Sequence, residues 1–90
     1  MKPREDTTYS GWANYETWNV TLWIGNDEGL YETAKGCRNA RDPYEEFIDQ
    51  MRQYGEDCGG GAIAHETPDN VAWNDSGIDR DEVNAMIEEL

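Results

Sequence analysis

Residues 14–28, Asn-Tyr-Glu-Thr-Trp-Asn-Val-Thr-Leu-Trp-Ile-Gly-Asn-Asp-Glu, leave this chain few ways to fold. Asn14 is a good N-cap, because its side-chain oxygen can accept from a backbone N–H that a helix start leaves unpaired. Behind it Tyr15, Trp18 and Leu22 follow the i, i+3, i+7 rule and share one face. Val20 and Ile24 share a second face, and Trp23 projects between the two sets. A helix that is apolar on two flanks wants neighbours on both. The stretch is therefore expected to be the central helix of a small domain, broken by Gly25-Asn26-Asp27.

The remaining chain supplies three more helices. Asp27 can cap a short one with Leu30, Ala34 and Cys37 in an apolar file; Gly36 weakens its end. The next starts at Asp42-Pro43-Tyr44-Glu45, with Asp42 as N-cap, Pro43 at N1 and Glu45 placed to reach back in a capping-box-like pair. Tyr44, Phe47, Ile48, Met51 and Tyr54 then keep a 3.6-residue period, Glu45, Glu46 and Asp49 face away, and Gly55 is placed to end the helix. Cys58-Gly59-Gly60-Gly61 reads as flexible and Thr67-Pro68-Asp69-Asn70 as a turn. Ala62-Ile63-Ala64 and Val71-Ala72-Trp73 are short extended segments that can form one two-stranded pairing, with Trp73 plugging the core. The last helix opens at Asp79, turning Val83, Met86, Ile87 and Leu90 inward. The expected fold is mainly α: a compact single domain of about four short helices with a long Gly-rich loop before the last. Residues 1–10 are expected to form a flexible arm and residues 11–90 the domain, with Trp12 packing back on the central helix.

Charge bounds the function. Ninety residues carry twenty acids against seven bases, a net −13, divided as −3, −3 and −7 over residues 1–30, 31–60 and 61–90. That balance disfavours direct contact with nucleic acid or an anionic membrane and favours a partner with a basic surface. No apolar run reaches spanning length, and Met1-Lys2-Pro3-Arg4-Glu5-Asp6 has no signal-type apolar region, so a cytoplasmic protein with Cys37 and Cys58 as free thiols is expected. Neither metal nor cofactor is expected: Cys37, Cys58 and His65 lack zinc spacing, and Asp69-Asn70 and Asn74-Asp75-Ser76-Gly77 do not complete a calcium loop. The glycine run has no Lys-Ser/Thr pair at P-loop spacing. Cys58 and His65 are the only candidates for nucleophile and base, and nothing in the sequence brings them together; no catalytic residue is assigned and an enzyme is not expected. The tryptophans are read as core for Trp18 and Trp23, because base stacking wants interleaved cations and Tyr9 to Tyr31 contains none. Trp12 and Trp73, outside the helices, are those to test for exposure.

The carboxylates of the last third carry the sharper expectation. Asp81 and Glu88 are seven residues apart, as are Glu82 and Glu89, which makes two adjacent files with an axial spacing of roughly 10 Å. With Asp69, Asp75 and Asp79 they form a candidate partner-binding surface. One reading is an acidic face that is merely solvated and keeps the protein soluble. The other is a face that imitates a nucleic-acid backbone, where duplex DNA carries a charge every ~1.7 Å of axis.

Asn14-Tyr15-Glu16-Thr17-Trp18-Asn19-Val20, with Leu22-Trp23-Ile24, Asn26-Asp27-Glu28 and Leu30-Tyr31, resembles a family of small, largely uncharacterised proteins of bacteriophages, other mobile elements and bacteria. Pro68-Asp69-Asn70-Val71-Ala72-Trp73 before an acidic last helix is similar to that family as well. The resemblance transfers no catalytic or binding residue. It implies a setting in which a small acidic phage-type protein binds and disables a host machine. The expected function is thus a non-enzymatic inhibitor of a host nucleic-acid-handling protein such as a CRISPR effector, a restriction enzyme or a polymerase component. The alternative is a structural or regulatory adaptor that binds through an apolar Trp-containing patch. Either is compatible with a monomer or a homodimer.

Overall fold

A computed structural model describes residues 9–58 and 61–90, with the backbone alone for Asp57, Cys58 and Ala62. Residues 1–8 of the expected arm, Gly59-Gly60 and the relation of Cys37 to Cys58 lie outside the described residues. Among the described residues four α-helices follow in order: α1 (Tyr15–Asn26), α2 (Glu28–Gly36), α3 (Pro43–Cys58) and α4 (Arg80–Glu88), with a 3-10 turn at Gly61–Ala64. Their starts obey local chemistry. Asn14 accepts from the Thr17 N–H at 2.9 Å, Asp27 from Leu30 at 3.0 Å, and Asp79 from Glu82 at 3.1 Å. Asp42 accepts from Glu45 at a longer 3.3 Å.

The core joins Val20 and Ile24 of α1, Leu30 and Ala34 of α2, Tyr44, Phe47, Ile48 and Met51 of α3, and Val83 and Ile87 of α4. Burying each large apolar side chain contributes about 1.5–3 kcal/mol, so such a set can hold a domain of this size together. The loop before α4 adds Val71, Trp73 and Ile78. Trp73 does plug the core: it is 1% exposed, stands edge-on to Phe47 at 5.3 Å, and donates from Nε1 to the Ile63 carbonyl at 2.7 Å. The Tyr44 hydroxyl donates to the Trp73 carbonyl, which ties the loop to α3.

Several expectations need correction. The Val20/Ile24 side of α1 is covered by α2 and α4, and the Asn19 side by the loop at Thr67 and Asp69. The Tyr15/Trp18/Leu22 file faces outward, with Tyr15 39% exposed and Trp18 and Leu22 half-buried. A chain this short has too few elements to cover both flanks of its central helix. Trp23 is half-buried against the core, and half-buried Trp12 lines a cleft with α4. Gly55 does not end α3. A Cβ at that position would meet the Ala64 Cβ at 2.7 Å, so the glycine lets the 3-10 turn press on the helix. The apolar file of α3 stops at Met51, leaving Tyr54 48% exposed. Ala62-Ile63-Ala64 is not extended but lies in that turn, and Val71-Ala72-Trp73 takes part in an isolated bridge between Glu66 and Ala72 instead. The Glu45 side chain turns to Arg80 instead of completing a capping box.

Candidate functional site

The structure sorts the seven carboxylates singled out by sequence into two groups. Asp81, Glu88 and Glu89 are exposed on the outer side of α4, and their carboxylates make no hydrogen bond or ion pair among the described residues. The other four take part in the fold. Glu82 is half-buried, and its Oε1 accepts from the Ala13 N–H at 2.8 Å. Asp79 caps α4, and Asp75 accepts from the Gly77 N–H at 2.7 Å. Asp69 stands apart from α4: its Oδ2 accepts from Asn19 Nδ2 at 2.8 Å and from Trp23 Nε1 at 2.9 Å, both on α1.

Helix α3 enlarges the α4 strip. Arg80 Nη1 lies 2.6 Å from Glu45 Oε1, and its guanidinium also sits 5.5 Å from the Tyr44 ring centre. Asn84 accepts from the Tyr44 N–H at 2.7 Å and donates to Asp42 Oδ1 at 3.2 Å. These contacts hold the two helices side by side. Their outer faces together present Asp42, Glu45, Glu46, Asp49, Asp81, Glu88 and Glu89, all exposed. Two guanidiniums offset part of that charge: Arg80 pairs with Glu45, and Arg52 with Asp49 at 3.0 Å. The outward placing of Glu45, Glu46 and Asp49 was legible in the periodicity, but their place beside α4 was not, because the Arg80–Glu45 pair spans 35 positions. Helix α3 is about 24 Å long at 1.5 Å per residue.

On its other flank α1 carries a polar network. Asn19 is fully buried, with Oδ1 accepting from the Thr67 hydroxyl at 2.6 Å. Thr67 Oγ1 in turn accepts from the Asp69 and Val71 N–H groups at 3.2 Å. The bonds from Asn19, then Trp23, hold the Asp69 carboxyl below the usual 3.8, since both favour the charged form. At the start of α1, Asn14 donates to the Gly77 carbonyl, and the Thr17 hydroxyl accepts from the Asp79 N–H at 2.8 Å. The two sequence stretches that carried the family resemblance are thereby bonded to one another. Their joint role is to set the loop that delivers α4.

Three rings cluster on the outward face of α1. Tyr9 lies 5.4 Å from Tyr15 and 4.7 Å from Trp18, and Tyr15 lies 5.6 Å from Trp18. Tyr9 is held by a tight turn through Ser10 and Gly11, both at positive φ, with paired 2.8 Å bonds between Tyr9 and Trp12. The Cys37 thiol is buried and donates to the Thr33 carbonyl at 3.3 Å. Burial, then the nearby Glu46 carboxylate, pushes its pKa up, away from the thiolate a nucleophile needs. His65 is exposed, and the Cys58 side chain lies outside the described residues. Among the described residues no three His, Cys, Asp or Glu side chains are grouped to hold a metal ion, and no helix is long and apolar enough to cross a membrane.

A model of a family of unknown function (DUF7249) matches residues 5–90. No match to a curated protein or to a solved structure was found.

Proposed function

The chain belongs to that family of unknown function (DUF7249), and for it we propose a non-enzymatic role: binding the basic, nucleic-acid-handling groove of another protein through the α3–α4 carboxylate face. The observation that carries the reading is the adjacency of the two acidic helix faces, fixed by Arg80–Glu45 and Asn84–Asp42. A second feature points the same way. Helix α4 ends in Glu88-Glu89 with no basic residue in its last turn. Carboxylates at a helix C-terminus oppose the macrodipole at a cost of about 0.3–1 kcal/mol each, so stability alone gives no reason for them. Under this proposal the partner is a host CRISPR effector, restriction enzyme or polymerase component, met in the host cytoplasm. Association is steered by charge and weakens as salt rises.

The test is affinity capture from a bacterial lysate at low and high salt, with wild type and an Asp81→Lys/Glu88→Lys/Glu89→Lys variant whose helical content is checked. A nucleic-acid-binding protein retained by wild type at low salt, and lost with salt or with the variant, supports the reading. Equal retention by the folded variant rejects it. The adaptor alternative is favoured by one observation, the Tyr9–Tyr15–Trp18 cluster, whose two tyrosines are exposed. It predicts salt-insensitive capture that is lost on Trp18→Ala.

A further inference from the structure

Between the Ser10–Gly11 turn and α4 lies an open cleft of about 680 Å³. Its origin is a helix register. Glu82, Ala85, Met86 and Glu89 fall at i, i+3, i+4 and i+7 and share one face. The small Ala85 leaves a depression between the two glutamates, with Met86 beside it and half-buried Leu90 at one end. Half-buried Trp12 forms the opposite wall. Trp12 is fixed by the Tyr9–Trp12 bridge and by Glu82 holding the Ala13 N–H. An apolar floor, an indole wall and carboxylates at the rim complement a side chain with an aliphatic stem and a cationic head. Arginine suits them better than lysine, because the guanidinium is more weakly hydrated, packs on aromatic rings and bonds carboxylates in a fork.

We propose that this cleft receives an arginine side chain of the basic partner. The inference rests on the carboxylate-face reading and adds a specific anchor at one edge of that face. Glu89 supplies the charge, Trp12 and Met86 hold the stem, and Ala85 provides the room.

The test is a titration of the full chain with N-acetyl-arginine amide, followed in 1H–15N spectra, with the citrulline and lysine amides as controls. Saturable shifts at the Trp12 indole N–H and the Ala85 and Glu89 amides are expected from arginine and not from citrulline. Glu89→Gln should weaken binding roughly two- to fivefold, the scale of one exposed charge-assisted contact. Ala85→Leu, at an exposed helical position that tolerates leucine, should abolish the shifts while leaving the spectrum otherwise folded. Equal response to citrulline or lysine, unchanged binding by Ala85→Leu, or shifts confined to Asp81 and Glu88 would each overturn the cleft assignment. None of those results touches the wider face, which an Asp81→Lys/Glu88→Lys variant with Glu89 left intact tests separately.

Discussion

Asn19 occupies a position where a helix of this kind would ordinarily bury a hydrocarbon, and it is tolerated because each side of its amide is used. Its oxygen takes the Thr67 hydroxyl and its nitrogen reaches Asp69. Removing it strands a buried hydroxyl and frees the turn. Asn19→Ala should therefore lower stability by about 2–3 kcal/mol, read from urea unfolding. A loss below about 0.5 kcal/mol, typical of surface sites, would mean the network contributes nothing. Asp69 makes the same network sensitive to acid. Its carboxyl is held below 3.8 when folded and has neither bond when unfolded. The unfolded chain thus binds the proton more readily, and the stabilisation is fully present above the ordinary value and lost as pH falls through the lower folded one. Asp69→Asn should unfold more easily than wild type near neutral pH, with the gap closing as the solution is acidified below 3.8. A gap independent of pH would contradict this assignment.

The sharpest element-level question is how α3 meets the 3-10 turn. Alanine in place of an interior helical glycine normally gains about 1 kcal/mol. At Gly55 the added Cβ would stand 2.7 Å from the Ala64 Cβ, with no flexible tip to give way. Overpacking of this kind costs about 1–3 kcal/mol. Gly55→Ala should therefore lower the thermal midpoint, and Ala64→Gly in the same chain should restore part of it. A higher midpoint for the single variant would show that the turn does not press on the helix. The contrast shows what sequence can hold. Asn14, Asp27, Asp42 and Asp79 announce helix starts because a cap acts within one turn of the chain. Gly55 could not be told from a stop signal, since the residue that requires it is nine positions away across space. The exposure of Asp81, Glu88 and Glu89 was legible from periodicity, whereas the bond from Glu82 to the Ala13 N–H was not. Nor was the continuation of the acidic face onto α3, because it depends on Arg80 and Asn84 meeting Glu45 and Asp42. For α1, both the Tyr15/Trp18/Leu22 and Val20/Ile24 files looked suited to burial. Which one is covered depends on how many neighbours a ninety-residue chain can supply.

For the molecule as a whole, the acids divide by position. Those near the starts of α1 and α4, namely Asp75, Asp79 and Glu82, bind backbone N–H groups and so serve the fold. Those on the outer faces of α3 and α4 add repulsion, and Glu88 and Glu89 add an unfavourable helix end. Glu88→Lys should accordingly raise stability by a few tenths of a kcal/mol up to about 1 while weakening capture of the partner. Stability and binding would then move in opposite directions, as expected where a surface is kept for recognition. The most direct measurement is displacement of the captured partner from the immobilised chain by a duplex oligonucleotide. If the carboxylate face lies in a nucleic-acid groove, the duplex should release the partner in a dose-dependent way, and the Asp81→Lys/Glu88→Lys/Glu89→Lys variant should fail to hold it at all. A partner that stays bound at saturating duplex, or that the folded variant holds as tightly as wild type, would contradict it.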